Sequence, residues 1–120
     1  GTGWKDETGA TQNIINIPLP IGCDSNQFRY LLEKELLPQL DAYASELIII
    51  SAGFDAHRAD SLAQIELEVE DFIWITHVLC DIADKHAKGR IVSILEGGYD
   101  LDALQESVSA HVEVLIARSG

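Results

Sequence analysis

Two polar side chains in this chain stand where apolar runs stop, and both could do chemistry. Asp55 follows Ile48-Ile-Ile-Ser-Ala-Gly-Phe54, and Tyr99 follows Ile91-Val-Ser-Ile-Leu-Glu-Gly-Gly98. A carboxylate at such a place suits a hard or borderline metal such as Zn²⁺, whose catalytic sites commonly join oxygen ligands to His nitrogens. A phenol at the rim of the same crevice can donate to a developing oxyanion. Gly53 lets the backbone turn sharply before Asp55, and Gly97-Gly98 gives Tyr99 a flexible approach. His57 invites a reading of Asp55-Ala-His57 as a two-ligand unit, yet a catalytic zinc site typically needs three protein ligands and one open position. Taken alone, Asp55 reads equally well as a loop cap, and Tyr99 as a half-buried turn residue.

The elements that must position these residues follow from the flanking pattern. Residues 47–51 and 90–95 are apolar runs without polar alternation, which predicts buried parallel strands with helices on both sheet faces. In open α/β sheets the ligand crevice lies beyond the carboxyl ends of the strands, where Asp55 and Tyr99 fall. Residues 13–19, Asn-Ile-Ile-Asn-Ile-Pro-Leu, predict a further short strand ending near Ile17, because β-branched residues precede Pro18 and Pro20. Asp24 with Gln27 three residues on predicts a helix start. Phe28, Leu32, Leu36 and Leu40 supply its apolar stripe, and Pro38 predicts a kink, or an end near Leu37 with a further turn to Tyr43. A second helix is expected over residues 69–87, with Gly89 as its terminating residue. A last one is capped by Asp100 or Asp102. The order β-α-β-α-β-α predicts right-handed crossovers. A sheet of three strands would leave an unpaired edge, so self-association through that edge is expected of the isolated chain.

Composition narrows the function classes. Twenty acidic against eight basic residues give a net charge of −12, which argues against nucleic-acid binding, since phosphate contacts need clustered Lys and Arg. No 18-residue apolar stretch exists, so no membrane span is expected. Cys23 and Cys80 lack metal-binding spacing and fit a reducing, cytoplasmic setting. No Gly-x-Gly-x-x-Gly occurs, and Glu96 and Asp100 would repel phosphate beside Gly97-Gly98. No Gly-x-Ser-x-Gly elbow is present either. His77, His86 and His111 fall at helical positions away from the strand ends, and Trp4 in the Gly-rich opening is expected to cover the core.

At Ser51-Ala-Gly-Phe-Asp-Ala-His57 with Asp60, and again at Leu95-Glu-Gly-Gly-Tyr-Asp100, the chain resembles the histone deacetylase and acetylpolyamine amidohydrolase superfamily, closest to its class II-like bacterial members. The likeness extends to Gly1-Thr-Gly, Glu7-Thr-Gly-Ala10 and Asn16-Ile-Pro-Leu19. It implies an α/β, arginase/deacetylase-like three-layer fold and zinc-dependent hydrolysis of the acetyl amide of acetyl-lysine or acetylated polyamines. By place in the motif, Asp55 is expected as a zinc ligand and Tyr99 as the catalytic phenol. Gly97 and Gly98 are expected to let the backbone approach the substrate, and His57 has no ligand role in the family pattern.

That pattern also requires a His-His pair and an Asp-x-His unit, which residues 1–54 do not supply. The chain is therefore expected to be the C-terminal segment of a catalytic domain, inactive alone and holding zinc weakly at best. Its opening on Gly1 rather than Met agrees with that expectation. The alternative is an α/β binding or interaction module without catalysis.

Overall fold

A computed structural model describes residues 2–120; Gly1, part of the opening likeness, lies outside the described residues. The elements run α1 (Ser25–Leu31), a π-helical turn (Leu32–Leu36), α2 (Leu37–Tyr43), β1 (Ile48–Ala52), α3 (Val69–His86), β2 (Ile91–Leu95) and α4 (Leu101–Arg118). Strands β1 and β2 pair in parallel, in a register that sets Ile48 opposite Ile91 and Ala52 opposite Leu95. The α/β class is as expected from the alternating pattern. Among the described residues no helix is long and apolar enough to cross a membrane.

Residues 13–19 do not form the expected strand. A β-rich sequence becomes a strand only when another strand accepts its hydrogen bonds, and the described residues offer none there. The opening segment instead folds on itself: Asn16 Nδ2 donates to the carbonyls of Trp4 and Glu7 at 2.9 and 3.0 Å, and the Ile14 N–H donates to Thr8 O. Trp4 is exposed and does not cover the core.

Asp24 caps α1 as expected, accepting from the Gln27 N–H at 2.9 Å. Pro38 has no N–H and its ring crowds the carbonyl four residues back, so the helix widens by a π turn before it and resumes as α2. The helix ends at Ala44, whose φ of 53° is left-handed. Asp100 caps α4 by accepting from the Ala103 N–H at 2.9 Å. At the end of α3 the left-handed conformation is shared by Lys88 and Gly89, with φ of 54° and 72°.

The core joins Ala52 and Phe54 of the first motif to Leu67 and Phe72, with Phe28, Ile50, Leu104 and Val108 packed around them. The helices thus lie over the sheet face that carries Ile50, Ala52 and Ser93. On the opposite face Ile49, Val92 and Ile94 are 61%, 47% and 55% exposed, with no helix among the described residues covering them. The expectation of burial on both faces is met on one face within these 120 residues. Between α3, α4 and β2 a buried polar chain replaces apolar packing. Thr76 Oγ1 donates to the Phe72 carbonyl and so accepts from His111 Nδ1 at 2.7 Å, leaving Nε2 to accept from Ser93 Oγ at 2.8 Å. Burial holds the His111 imidazole below its ordinary pKa, consistent with this neutral tautomer.

A second buried polar group fastens α1 to the start of α3. Asp71 is fully buried; its carboxylate accepts from Arg29 Nε at 2.9 Å, from the Glu68 N–H at 3.0 Å and from Ser25 Oγ. Arg29 also lies over the Trp74 ring, 5.3 Å from its centroid. Asp71 is buried while Arg29 is partly exposed, and two donors to the carboxylate remain, so Arg29→Ala is expected to cost about 1–2 kcal/mol. A urea melt monitored by circular dichroism checks this, and an unchanged midpoint would show that Asp71 is satisfied without the guanidinium.

Candidate active site

The two motifs meet because the parallel ladder continues past both strands. The Glu96 N–H donates to Ala52 O at 2.9 Å, and the Phe54 N–H donates to Gly97 O at 2.8 Å. These bonds hold the Asp55 and Tyr99 segments side by side at the carboxyl ends of β1 and β2, the edge expected to carry a ligand crevice.

Asp55 is half-buried, and its carboxylate lies against the backbone of the second motif. A Cβ added to Gly97 would fall 2.8 Å from Asp55 Oδ1 and 3.0 Å from Oδ2, and one on Gly53 would fall 3.0 Å from Oδ1. The two glycines therefore form a seat for the Asp55 carboxylate, a role the sequence reading did not give them. Gly98 adopts φ 141°, which only glycine takes readily, and a Cβ there would fall 2.6 Å from Leu104 Cδ1. No side-chain hydrogen bond among the described residues engages the Asp55 carboxylate, so both oxygens remain available as ligands. That donor set fits zinc as one oxygen ligand; no three His, Cys, Asp or Glu side chains converge on a single point among the described residues.

Tyr99 is 63% exposed at the rim, with its main chain rather than its ring held by the fold. Its N–H donates to Asp60 Oδ2 at 2.8 Å. His57 turns away from Asp55 into the core: its ring stacks on Phe72 at 6.5 Å between centroids, and its Nδ1 accepts from the Ala59 N–H at 3.1 Å. The Asp55-Ala-His57 pair is therefore not a two-ligand unit, and His57 packs the loop instead.

Asp60 is the residue whose part the sequence reading missed. It is 4% exposed, and besides Tyr99 it accepts from Leu62 N at 3.1 Å and from Asp100 N at 3.3 Å. The Tyr99 N–H, then that of Leu62, hold its carboxyl below the usual carboxylate range. The sequence showed Asp60 only as part of the motif that carries the resemblance, a carboxylate in a loop without apolar periodicity, which does not say where the loop folds back. The path is set by two parallel bridges, Asp24 to Glu66 and His57 to Leu67.

The fold is of the arginase/deacetylase-like α/β class, and it brings a carboxylate and a phenol to neighbouring strand ends. Comparison with known proteins is in agreement: the histone deacetylase domain profile matches residues 1–115, and the chain belongs to that family. It is 44% identical over 103 residues to type-2 histone deacetylase 1 of Dictyostelium discoideum, covering 86% of this chain and 7% of that protein. It is 35% identical over 85 residues to the histone deacetylase-like amidohydrolase of Pseudomonas aeruginosa, covering 71% of this chain and 22% of that protein. The crystal structure of the HDA15 HD domain superposes with a TM-score of 0.87 at 31% identity, over 98% of this chain and 33% of that one. The chain thus spans a third or less of each of these relatives.

Proposed function

We propose that this chain supplies one side of a zinc-dependent deacetylase active site, as the C-terminal segment of a catalytic domain that hydrolyses the acetyl amide of acetyl-lysine or of acetylated polyamines. The observation that carries the reading is the backbone bond from Phe54 to Gly97, which sets the Asp55 and Tyr99 segments side by side. Family membership and the class of relatives support it. Asp55 would hold the metal through its carboxylate, with the remaining ligands and a histidine pair contributed by residues outside these 120. Zinc bound there would supply Lewis-acid polarisation of the acetyl carbonyl and a water of lowered pKa. Tyr99 directs its O–H at the carbonyl oxygen and donates as negative charge develops on it. Gly97, having no Cβ, leaves the room in which the Asp55 carboxylate sits. The free, buried thiols of Cys23 and Cys80 suit a reducing, cytoplasmic setting.

The test is acetate release from an acetyl-lysine peptide and from an acetylated diamine, using a protein that joins this segment to the proposed upstream ligands. Hydrolysis is expected to vanish on chelation and to return with added zinc, while the 120-residue chain alone stays inactive. Hydrolysis that survives complete metal removal would sink the proposal.

A further inference from the structure

The loop that carries Asp55 also grips the turn that carries Tyr99, through a buried carboxylate no step described so far uses. We infer that Asp60 is a positioning residue for Tyr99: by accepting from the N–H groups of Tyr99 and Asp100, it fixes the main chain from which the phenol projects. This rests on the reading of Tyr99 as the oxyanion donor.

Three features carry it. The Tyr99 ring is exposed and no side-chain hydrogen bond among the described residues holds it, so its placement depends on its backbone. That backbone turns through Gly98 at φ 141°, where the chain has little stiffness of its own. Asp60 supplies the missing restraint with three accepted bonds, at 2.8 and 3.3 Å to the Tyr99 turn and at 3.1 Å to Leu62 in its own loop. Two of the donors stand at the N-terminus of α4, where the helix dipole strengthens a bond to an anion. Asp60 therefore spans the two loops: one end is set by the Asp55 segment, the other sets Tyr99.

Alanine removes all three accepted bonds, whereas asparagine can keep those from Tyr99 and Asp100 on its one amide oxygen and lose only the bond from Leu62. In the 120-residue chain, amide hydrogen exchange of Tyr99 and Asp100 followed by NMR is expected to speed up at least about tenfold in Asp60→Ala, while α3 amides are unaffected. In the active protein, kcat is expected to fall about 10- to 100-fold with KM little changed, because a misplaced donor acts only in the transition state. Tyr99→Phe should then cost far less in the Asp60→Ala background than in the wild type, a non-additivity that a general loss of stability would not produce. Asp60→Asn gives a second variant, expected to change exchange and kcat less than Asp60→Ala does.

Unchanged exchange at Tyr99 and Asp100, or full additivity of the two substitutions, overturns the role given to Asp60 and leaves the Tyr99 reading intact. A Tyr99→Phe enzyme with wild-type kcat overturns both, and the exchange data then describe a structural bond alone.

Discussion

In a protein that joins this segment to the proposed upstream ligands, replacing Tyr99 with phenylalanine is expected to lower kcat for the proposed acetyl-lysine hydrolysis by about 10²- to 10³-fold, the usual cost of removing one oxyanion donor. The change deletes a single oxygen from a ring that is 63% exposed, so it leaves no cavity and no stranded partner in the core. Melting temperature should therefore be preserved, and KM should move only a few-fold, since the bond matters most when charge has developed on the substrate oxygen. Steady-state kinetics on the two proteins, with a thermal melt of each, separate these effects. A kcat within twofold of wild type would remove Tyr99 from the mechanism.

Gly97→Ala is expected to be almost as damaging, for a reason that lies in the seat of the other functional residue. The added methyl group would meet all three heavy atoms of the Asp55 carboxyl, at 2.8, 2.9 and 3.0 Å. Gly97 is not among the glycines with positive φ, so alanine is tolerated by the backbone there and the effect reports on the contact alone. Something must move, and the carboxylate is the nearest group. A displacement near 1 Å at a metal ligand costs on the order of 10² in kcat/KM, accompanied by weaker zinc retention. Zinc content by atomic absorption, measured beside activity, checks it: full zinc occupancy with full activity would show that Asp55 adjusts without penalty. Gly98→Ala would mix this kind of contact with backbone strain and is the less informative variant.

Much of this arrangement was legible in the amino-acid order. Apolar runs placed β1 and β2 to within a residue, Asp24 marked one helix start, Asp100 or Asp102 marked another that the structure gives to Asp100, and Asp55 and Tyr99 stood out as polar residues at strand ends. What could not be read depends on contacts between distant segments. Residues 13–19 have the composition of a strand, but pairing needs a neighbour, and composition does not say whether one is near. The uniform apolarity of Ile48 to Ile50 correctly marked a strand, yet it could not say that Ile49 would find no helix within this chain. His57 shows the same limit at the site, since spacing put it beside Asp55 while the fold of the loop turned it onto Phe72. The glycines were legible as flexible points, but their use as a seat for Asp55 exists only once β2 lies beside β1.

The register of those two strands has a consequence for fidelity. A parallel pair joined by a helical crossover has no tight turn to fix its alignment, so the alignment must come from side chains. A slip of one residue would turn the inward set of β2 outward, and the next alignment with the same faces lies two residues away, displacing the strand ends by about 6–7 Å. Such a slip would carry Ser93 off His111 and Tyr99 away from Asp55 together. The buried Thr76, His111 and Ser93 chain thus works as a vernier: a polar mark deep in the core gauges the alignment on which two residues at the strand ends depend.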